Sequence, residues 1–133
     1  MFTGPIDDRA SIRDLIDSYT DAVCQRDANA WAETWAEGDS VWNLGEADIV
    51  GKANIVTAWK AAMARFSFVA FSARPGMVQI YGAKADARVY ANEFLIGTDG
   101  SETRIVGQYD DRLVKESGRW LFKSRHYKVL HRS

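Results

Sequence analysis

Two carboxylic acids fall where strand alternation otherwise places apolar side chains. In Ala85-Ala87-Val89-Ala91-Glu93-Leu95, Glu93 shares a face with small and aliphatic residues. In Ile105-Gly107-Tyr109-Asp111-Leu113, Asp111 does the same. The complementary faces read Asp86-Arg88-Tyr90-Asn92 and Arg104-Gln108-Asp110-Arg112, which suit water. Successive strand side chains point to opposite sides of a sheet, so this sorting is a physical statement. A carboxylate on a covered face must be paired, protonated or set in a cavity. Burial raises its pKa toward neutrality, where it can give or take a proton as a general acid or base. Glu93 is the first candidate for that role and Asp111 the second. Each also has a structural reading. Glu93 could pair with Arg88, Arg104 or Arg125 across the sheet, and Asp111 could accept from backbone or Trp N–H groups.

Other side chains suit a pocket wall. Tyr19 lies on the apolar stripe of the first helix, and its hydroxyl needs a partner when buried. Trp35, Trp42 and Trp59, with Phe71 and Tyr109, could face a flat ligand or simply fill the core. His126 alternates with Trp120 and Phe122, so it could face inward as a ligand contact or stand as a satisfied core or rim histidine. Cys24 reads as a small buried hydrophobe. The two histidines, five residues apart on one strand, would face opposite sides, and the chain has one cysteine, so no metal-ligand spacing exists. No glycine-rich phosphate loop is present. No cofactor is expected.

The elements that must position these residues divide along the chain. Ile12, Leu15, Ile16, Tyr19 and Val23 follow helical spacing, with Asp7, Asp8 or Ser11 available to cap the start. A second short helix is expected from Asp27 to about Ala36. Val41–Leu44 and Asp48–Val50 read as short strands, and Ile55, Trp59, Ala62, Met63 and Phe66 as one face of a third helix. The second half is strand-like: 68–73 and 77–81 around Arg74-Pro75-Gly76, then 84–96, 102–115 and 119–131. Proline cannot donate to a ladder, so 74–76 predicts a bulge, bend or edge. Helices first and a meander afterwards predict an α+β domain, with helices covering one face of a curved antiparallel sheet.

Bulk properties narrow the function classes. The 133 residues suit one domain spanning 1–133, and 47% apolar content supports a core. Seventeen basic residues against eighteen acidic leave no basic excess for nucleic acid. No run approaches ~20 apolar residues, so no bilayer-spanning helix is expected. No signal peptide is evident, and a single cysteine forms no internal disulfide, which favours a cytoplasmic location.

The order and spacing of several short motifs resemble one family along nearly the whole chain. They are Ile12-x-Asp14-Leu15-x-x-x-Tyr19, Arg26-Asp27-x-x-x-Trp31, Trp35-x-x-x-Asp39-x-x-Trp42, Gly51-x-x-x-Ile55-x-x-x-Trp59, Gly107-x-Tyr109-x-Asp111 and Gly118-Arg119-Trp120. The chain resembles the SnoaL-like group of the NTF2-like superfamily. That resemblance implies a cone-shaped α+β barrel with a deep pocket between curved sheet and helices. Relatives of this kind include ketosteroid isomerase, scytalone dehydratase, bile acid dehydratases and the lindane dehydrochlorinase, several of which transfer protons without a cofactor. Others are small subunits of ring-hydroxylating oxygenases.

The resemblance also suggests roles. Tyr19 falls where family members place a tyrosine that can reach a substrate oxygen. Glu93 falls near an acid or histidine on a central strand, and Asp111 near an interior acid on the oxyanion side. The dehydratase-type Asp is replaced here by Cys24. The strand that would carry its partner histidine reads Val69-Ala70-Phe71-Ser72, so the His–Asp dyad is absent. The isomerase base would fall around Asn43 or Leu44, which cannot act as one.

The sequence therefore predicts a pocket protein for an apolar or aromatic small molecule, catalysing cofactor-free isomerisation, cyclisation or water elimination. Glu93 would be the acid or base, with Tyr19 and Asp111 holding an oxygen that gains charge. The alternative is a non-catalytic binder or assembly module that kept the pocket shape. The outer sheet face, carrying Tyr90, Phe94, Ile96, Val106 and Val114 among charges, predicts a homodimer.

Overall fold

The computed structural model describes residues 1–133. Helix α1 spans Ile6–Gln25 and buries Ile12, Leu15, Ile16, Tyr19, Ala22 and Val23, the stripe that helical periodicity selects. None of the expected caps closes its start: Pro5 stands there, with no side-chain cap. Asp7 and Asp8 lie in the first turn instead, where the helix dipole favours negative charge. Asp8 accepts from Trp120 Nε1 and Lys115 Nζ, both at 2.9 Å, which ties α1 to the last hairpin. At the other end Arg26 turns into the left-handed region at φ 56°. Its guanidinium donates to the carbonyls of Met63 and Phe66 at 2.7 and 2.6 Å.

Helix α2, Ala28–Ala32, is capped by Asp27, whose carboxylate accepts from the Ala30 N–H at 3.0 Å. It stops short of the expected Ala36 because the backbone that follows pairs with a strand. Phe122 N–H donates to the Thr34 carbonyl, and Ala36 N–H to that of Phe122. Helix α3, Lys52–Met63, buries Ile55 and Trp59. Trp59 stacks on Trp31 at 4.7 Å between ring centroids and 9° between planes.

The strands are β1 (Phe2–Thr3), β2 (Val41–Asn43), β3 (Asp48–Val50), β4 (Phe66–Tyr81), β5 (Lys84–Gly97), β6 (Glu102–Glu116) and β7 (Arg119–Arg132). They form one curved, unclosed sheet in the order β1-β4-β5-β6-β7-β2-β3. Strands β4 to β7 make the expected antiparallel meander. The sheet as a whole is mixed, because β1 joins β4 and β2 joins β7 in parallel. A tight hairpin forces antiparallel pairing, whereas long connections deliver β1 and β2 to the sheet edges.

Three bulges matter. In β4, Pro75 pairs with Val89 and Met77 with Arg88, leaving Gly76 as the extra residue, so Arg74-Pro75-Gly76 bends one continuous strand rather than dividing it. In β7, Lys123 falls between the Phe122–Leu113 and Ser124–Arg112 pairs, and Leu130 between Val129–Gly107 and His131–Val106. Each extra residue exchanges the inward and outward sets beyond it.

The α1 stripe packs with Val89, Ala91, Tyr109 and Leu113 in one core cluster of 25 buried residues. No helix is long and apolar enough to cross a membrane.

Candidate functional site

The inner face of the meander is built in rungs. Phe71, Glu93, Ile105 and Arg132 lie side by side across β4 to β7. The next rung, farther from the 97–101 turn, is Ala73, Ala91, Gly107 and Val129. Pro75, Val89, Tyr109 and Tyr127 follow, then Val78, Ala87, Asp111 and Arg125, with Trp42 of β2 beside Arg125.

Between this face and the helices lies a cavity of about 750 Å³. Tyr19, Trp42, Trp59, Phe71, Glu93 and Tyr109 all line it, among other mostly apolar groups. The mouth carries Arg65, Thr98, Asp99, Ser101 and Arg132.

Glu93 is half-buried on the cavity wall. The Tyr127 hydroxyl donates to its Oε2 at 2.7 Å, and its other oxygen accepts no hydrogen bond from the protein. Burial raises the Glu93 pKa, while the Tyr127 hydrogen bond and the Arg132 charge pull it down less strongly. Burial also raises Tyr127, and the neighbouring Glu93 adds to that rise. Tyr127 therefore remains a proton donor. Its ring reaches Glu93 by lying across Gly107, where an added Cβ would overlap the phenol. Neither Arg88, Arg104 nor Arg125 pairs with Glu93. Arg88 and Arg104 stand on outward rungs, Arg104 over the Phe94 ring at 4.4 Å.

Asp111 lies on the covered face, as alternation requires, but it is not on the cavity wall. Arg125 holds it with Nε to Oδ1 at 2.7 Å and a terminal nitrogen to Oδ2 at 2.9 Å. Both residues are buried, at 3% and 1% exposure. The guanidinium also faces the rings of Tyr109, Phe122 and Tyr19 at 3.7, 4.1 and 4.5 Å. Burial opposes the Arg125 charge, but the Asp111 carboxylate more than restores it, so Arg125 stays protonated. The expected partners of Asp111, backbone or Trp N–H groups, give way to this arginine. Burial raises the pKa of Tyr19, with Arg125 opposing, and raises that of Tyr109 further.

Three other expectations are corrected. Trp35 is 1% exposed and packs on Trp31 and Phe122, behind the cavity wall. His126 is exposed and stands outside, 3.8 Å from Asp48, because the Lys123 bulge exchanges the two faces of β7. Cys24 is exposed, since it sits off the α1 stripe; its thiol donates to the Phe71 carbonyl at 3.3 Å.

The same bulge explains what the sequence reading missed. Arg125 and Tyr127 turn inward only beyond Lys123, and Arg132 only beyond Leu130. A signal existed: Trp120 and Phe122 fit one alternation and Tyr127 the other, and Gly107 opposite β7 offers an aromatic ring a place to lie. No three His, Cys, Asp or Glu side chains converge as metal ligands.

Comparison with known proteins agrees with this fold. Among solved structures, a protein of suggested aromatic ring hydroxylase activity from Novosphingobium aromaticivorans is 26% identical, with a TM-score of 0.90 over 98% of this chain and 95% of that one. A suggested scytalone dehydratase from the same organism is 16% identical, with a TM-score of 0.88 over 96% and 87%. Hexachlorocyclohexane dehydrochlorinase LinA-type3 from Novosphingobium barchaimii is also 16% identical, with a TM-score of 0.82 over 96% and 90%. The curated proteins offer no sequence match. The family model of the SnoaL-like domain matches residues 5–126. With its three helices on a curved, unclosed mixed sheet, the chain belongs to the SnoaL-like domain family, within the NTF2-like fold.

Proposed function

We propose that the protein is a cofactor-independent enzyme that moves a proton on an apolar or aromatic small molecule, in an isomerisation, cyclisation or elimination. The observation that carries this reading is Glu93: a carboxyl group on the cavity wall, raised in pKa by burial, with one oxygen free of protein partners. In this reading Glu93 takes a proton from substrate carbon and returns it, or delivers it to a leaving group. Tyr127 fixes the carboxyl orientation. Tyr19 and Tyr109, on the same cavity, hold a substrate oxygen as it gains charge. Asp111 contributes through Arg125, whose charge lies against both tyrosine rings. Neighbours bearing dehydratase and dehydrochlorinase names support elimination chemistry on this fold.

The test needs no known substrate. Aromatic ketones with acidic C–H groups are incubated with the protein in D₂O, and deuterium incorporation is followed by NMR. Exchange that is catalysed by the protein and lost in Glu93→Gln supports the proposal. The absence of exchange across a broad panel counts against it.

A second reading, a binder without chemistry, is favoured by one observation: both histidines lie outside the cavity, leaving Glu93 as its only acid apart from Asp99 at the mouth. The outer face, with Phe68 and Tyr90 exposed, supports a homodimer in either reading. Sedimentation showing only monomer at micromolar concentration would overturn that assembly.

A further inference from the structure

The cavity mouth carries two arginines, Arg65 and Arg132, that form no close ion pair with a carboxylate of the protein. Arg132 shares a rung with Glu93, and strands are spaced ~5 Å apart, so its backbone stands roughly 10 Å from that of Glu93 across β6. It faces the cavity only because Leu130 is a bulge, and bulges re-aim side chains. Arg65 follows α3 on the same mouth.

Both arginines stand on anchored backbone. Ser133 and Arg104 exchange two backbone hydrogen bonds of 2.9 Å beside Arg132. The Arg65 carbonyl accepts from the Thr98 N–H at 3.0 Å. Neither guanidinium forms an ion pair with any of the chain's acids; the six close pairs all involve other residues.

Each acid on the wall has one oxygen engaged by a neutral donor. Asp99 accepts from the Ser101 N–H at 3.0 Å and from its hydroxyl at 2.6 Å. Glu93 accepts from Tyr127. Just inside the mouth the surface turns apolar, with Trp59, Phe71, Leu95 and Ile105. A guanidinium is weakly hydrated and matches a carboxylate in two-point geometry, so it suits such a boundary between water and an apolar wall.

We propose that the mouth selects a small organic acid, with its carboxylate held by Arg132 and Arg65 and its apolar or aromatic body against Trp59, Phe71 and Ile105. This rests on the cavity being the ligand site, and it adds the charge and orientation of the ligand. With the carboxylate outward, the body of the ligand passes Glu93.

Calorimetric titration of 2-naphthoate against 2-naphthamide separates the two ideas, because the probes share a ring and differ in charge. The wild type should bind the acid about tenfold more tightly or better, as expected for a charge-assisted contact. In the Arg65→Gln/Arg132→Gln double variant the acid should fall to within about twofold of the amide, whose own affinity should not move. Both arginines are exposed, so the variant should fold, and its melting temperature checks this. Equal wild-type affinity for the two probes would overturn the organic-acid inference while leaving the cavity as a binding site. A preference that survives in the double variant would overturn the assignment to these arginines. If neither probe binds, the inference and the cavity reading fail together.

Discussion

Asp111 and Glu93 occupy the same face of neighbouring strands, three rungs apart, and meet opposite fates. Asp111 is matched by an arginine that satisfies both oxygens and is itself sheathed by three aromatic rings. Glu93 receives one phenolic hydrogen bond and keeps an oxygen toward open space. What separates them is the partner. Burial raises the pKa of both acids, but the guanidinium takes both oxygens of Asp111, whereas the Tyr127 hydroxyl takes one oxygen of Glu93 and leaves the other open. An acid on a covered face is thus a structural group or a chemical one according to what stands beside it.

Several substitutions would break or sharpen this contrast. The largest effect should come from the closed pair. Asp111→Asn leaves a buried guanidinium without its counter-charge and should cost ~3–5 kcal/mol in urea denaturation. Replacing both partners, Asp111→Leu with Arg125→Met, should recover most of that loss. If Asp111→Asn alone were neutral, the pair would not be structural.

The open pair should respond in the other way. Glu93→Gln should lower any proton-transfer activity by ~10²–10⁴-fold while barely changing the melting temperature, or raising it. The sign with pH follows from its raised pKa. Folded Glu93 holds its proton over a range where the unfolded chain has released it. Its contribution to stability is therefore present at low pH and lost as pH rises from the unfolded value, about 4.3, through the folded one. The variant should lack this decline, so its advantage over wild type should widen with pH across that window. Melting curves from pH 4 upward check it.

Gly107→Ala should cost ~1–3 kcal/mol, because the new methyl group overlaps the Tyr127 ring. It should also lower the same proton-transfer activity by displacing that ring from Glu93. A fully active and stable variant would show that the ring has another place to go. Tyr127→Phe should be the mildest, at ~1 kcal/mol for one hydrogen bond. It should move the Glu93 pKa further up, since that bond favours the ionised form. NMR titration of the Glu93 carboxyl would detect the shift.

Much of the fold was legible because its periodicities are undisturbed. The α1 stripe, the 84–96 strand and the covered positions of Glu93 and Asp111 all follow from spacing alone. The candidate site was legible only on β5 and β6 and in the aromatic residues at 19, 42, 59 and 71. It failed on β7, where alternation was extended through Lys123 as though the strand were regular. That carried His126 inward and Tyr127 outward. The partner of Asp111 was hidden for the same reason. The second helix was expected, but its early end at Ala32 was missed, because residues 34–36 find hydrogen bonds on β7, a long-range choice that local propensity does not record.

The Lys123 bulge gives β7 two reading frames. Upstream of it Trp120 and Phe122 are interior; downstream the interior passes to Arg125 and Tyr127. Removing that single residue would leave Phe122–Leu113, Ser124–Arg112 and Arg125–Asp111 as successive pairs, whereas ironing the bulge out with Lys123 kept would pair Lys123 with Arg112 and Ser124 with Asp111, carrying Arg125 out and His126 in. The chemistry of this wall is thus set by how β7 is registered on β6 as well as by residue type.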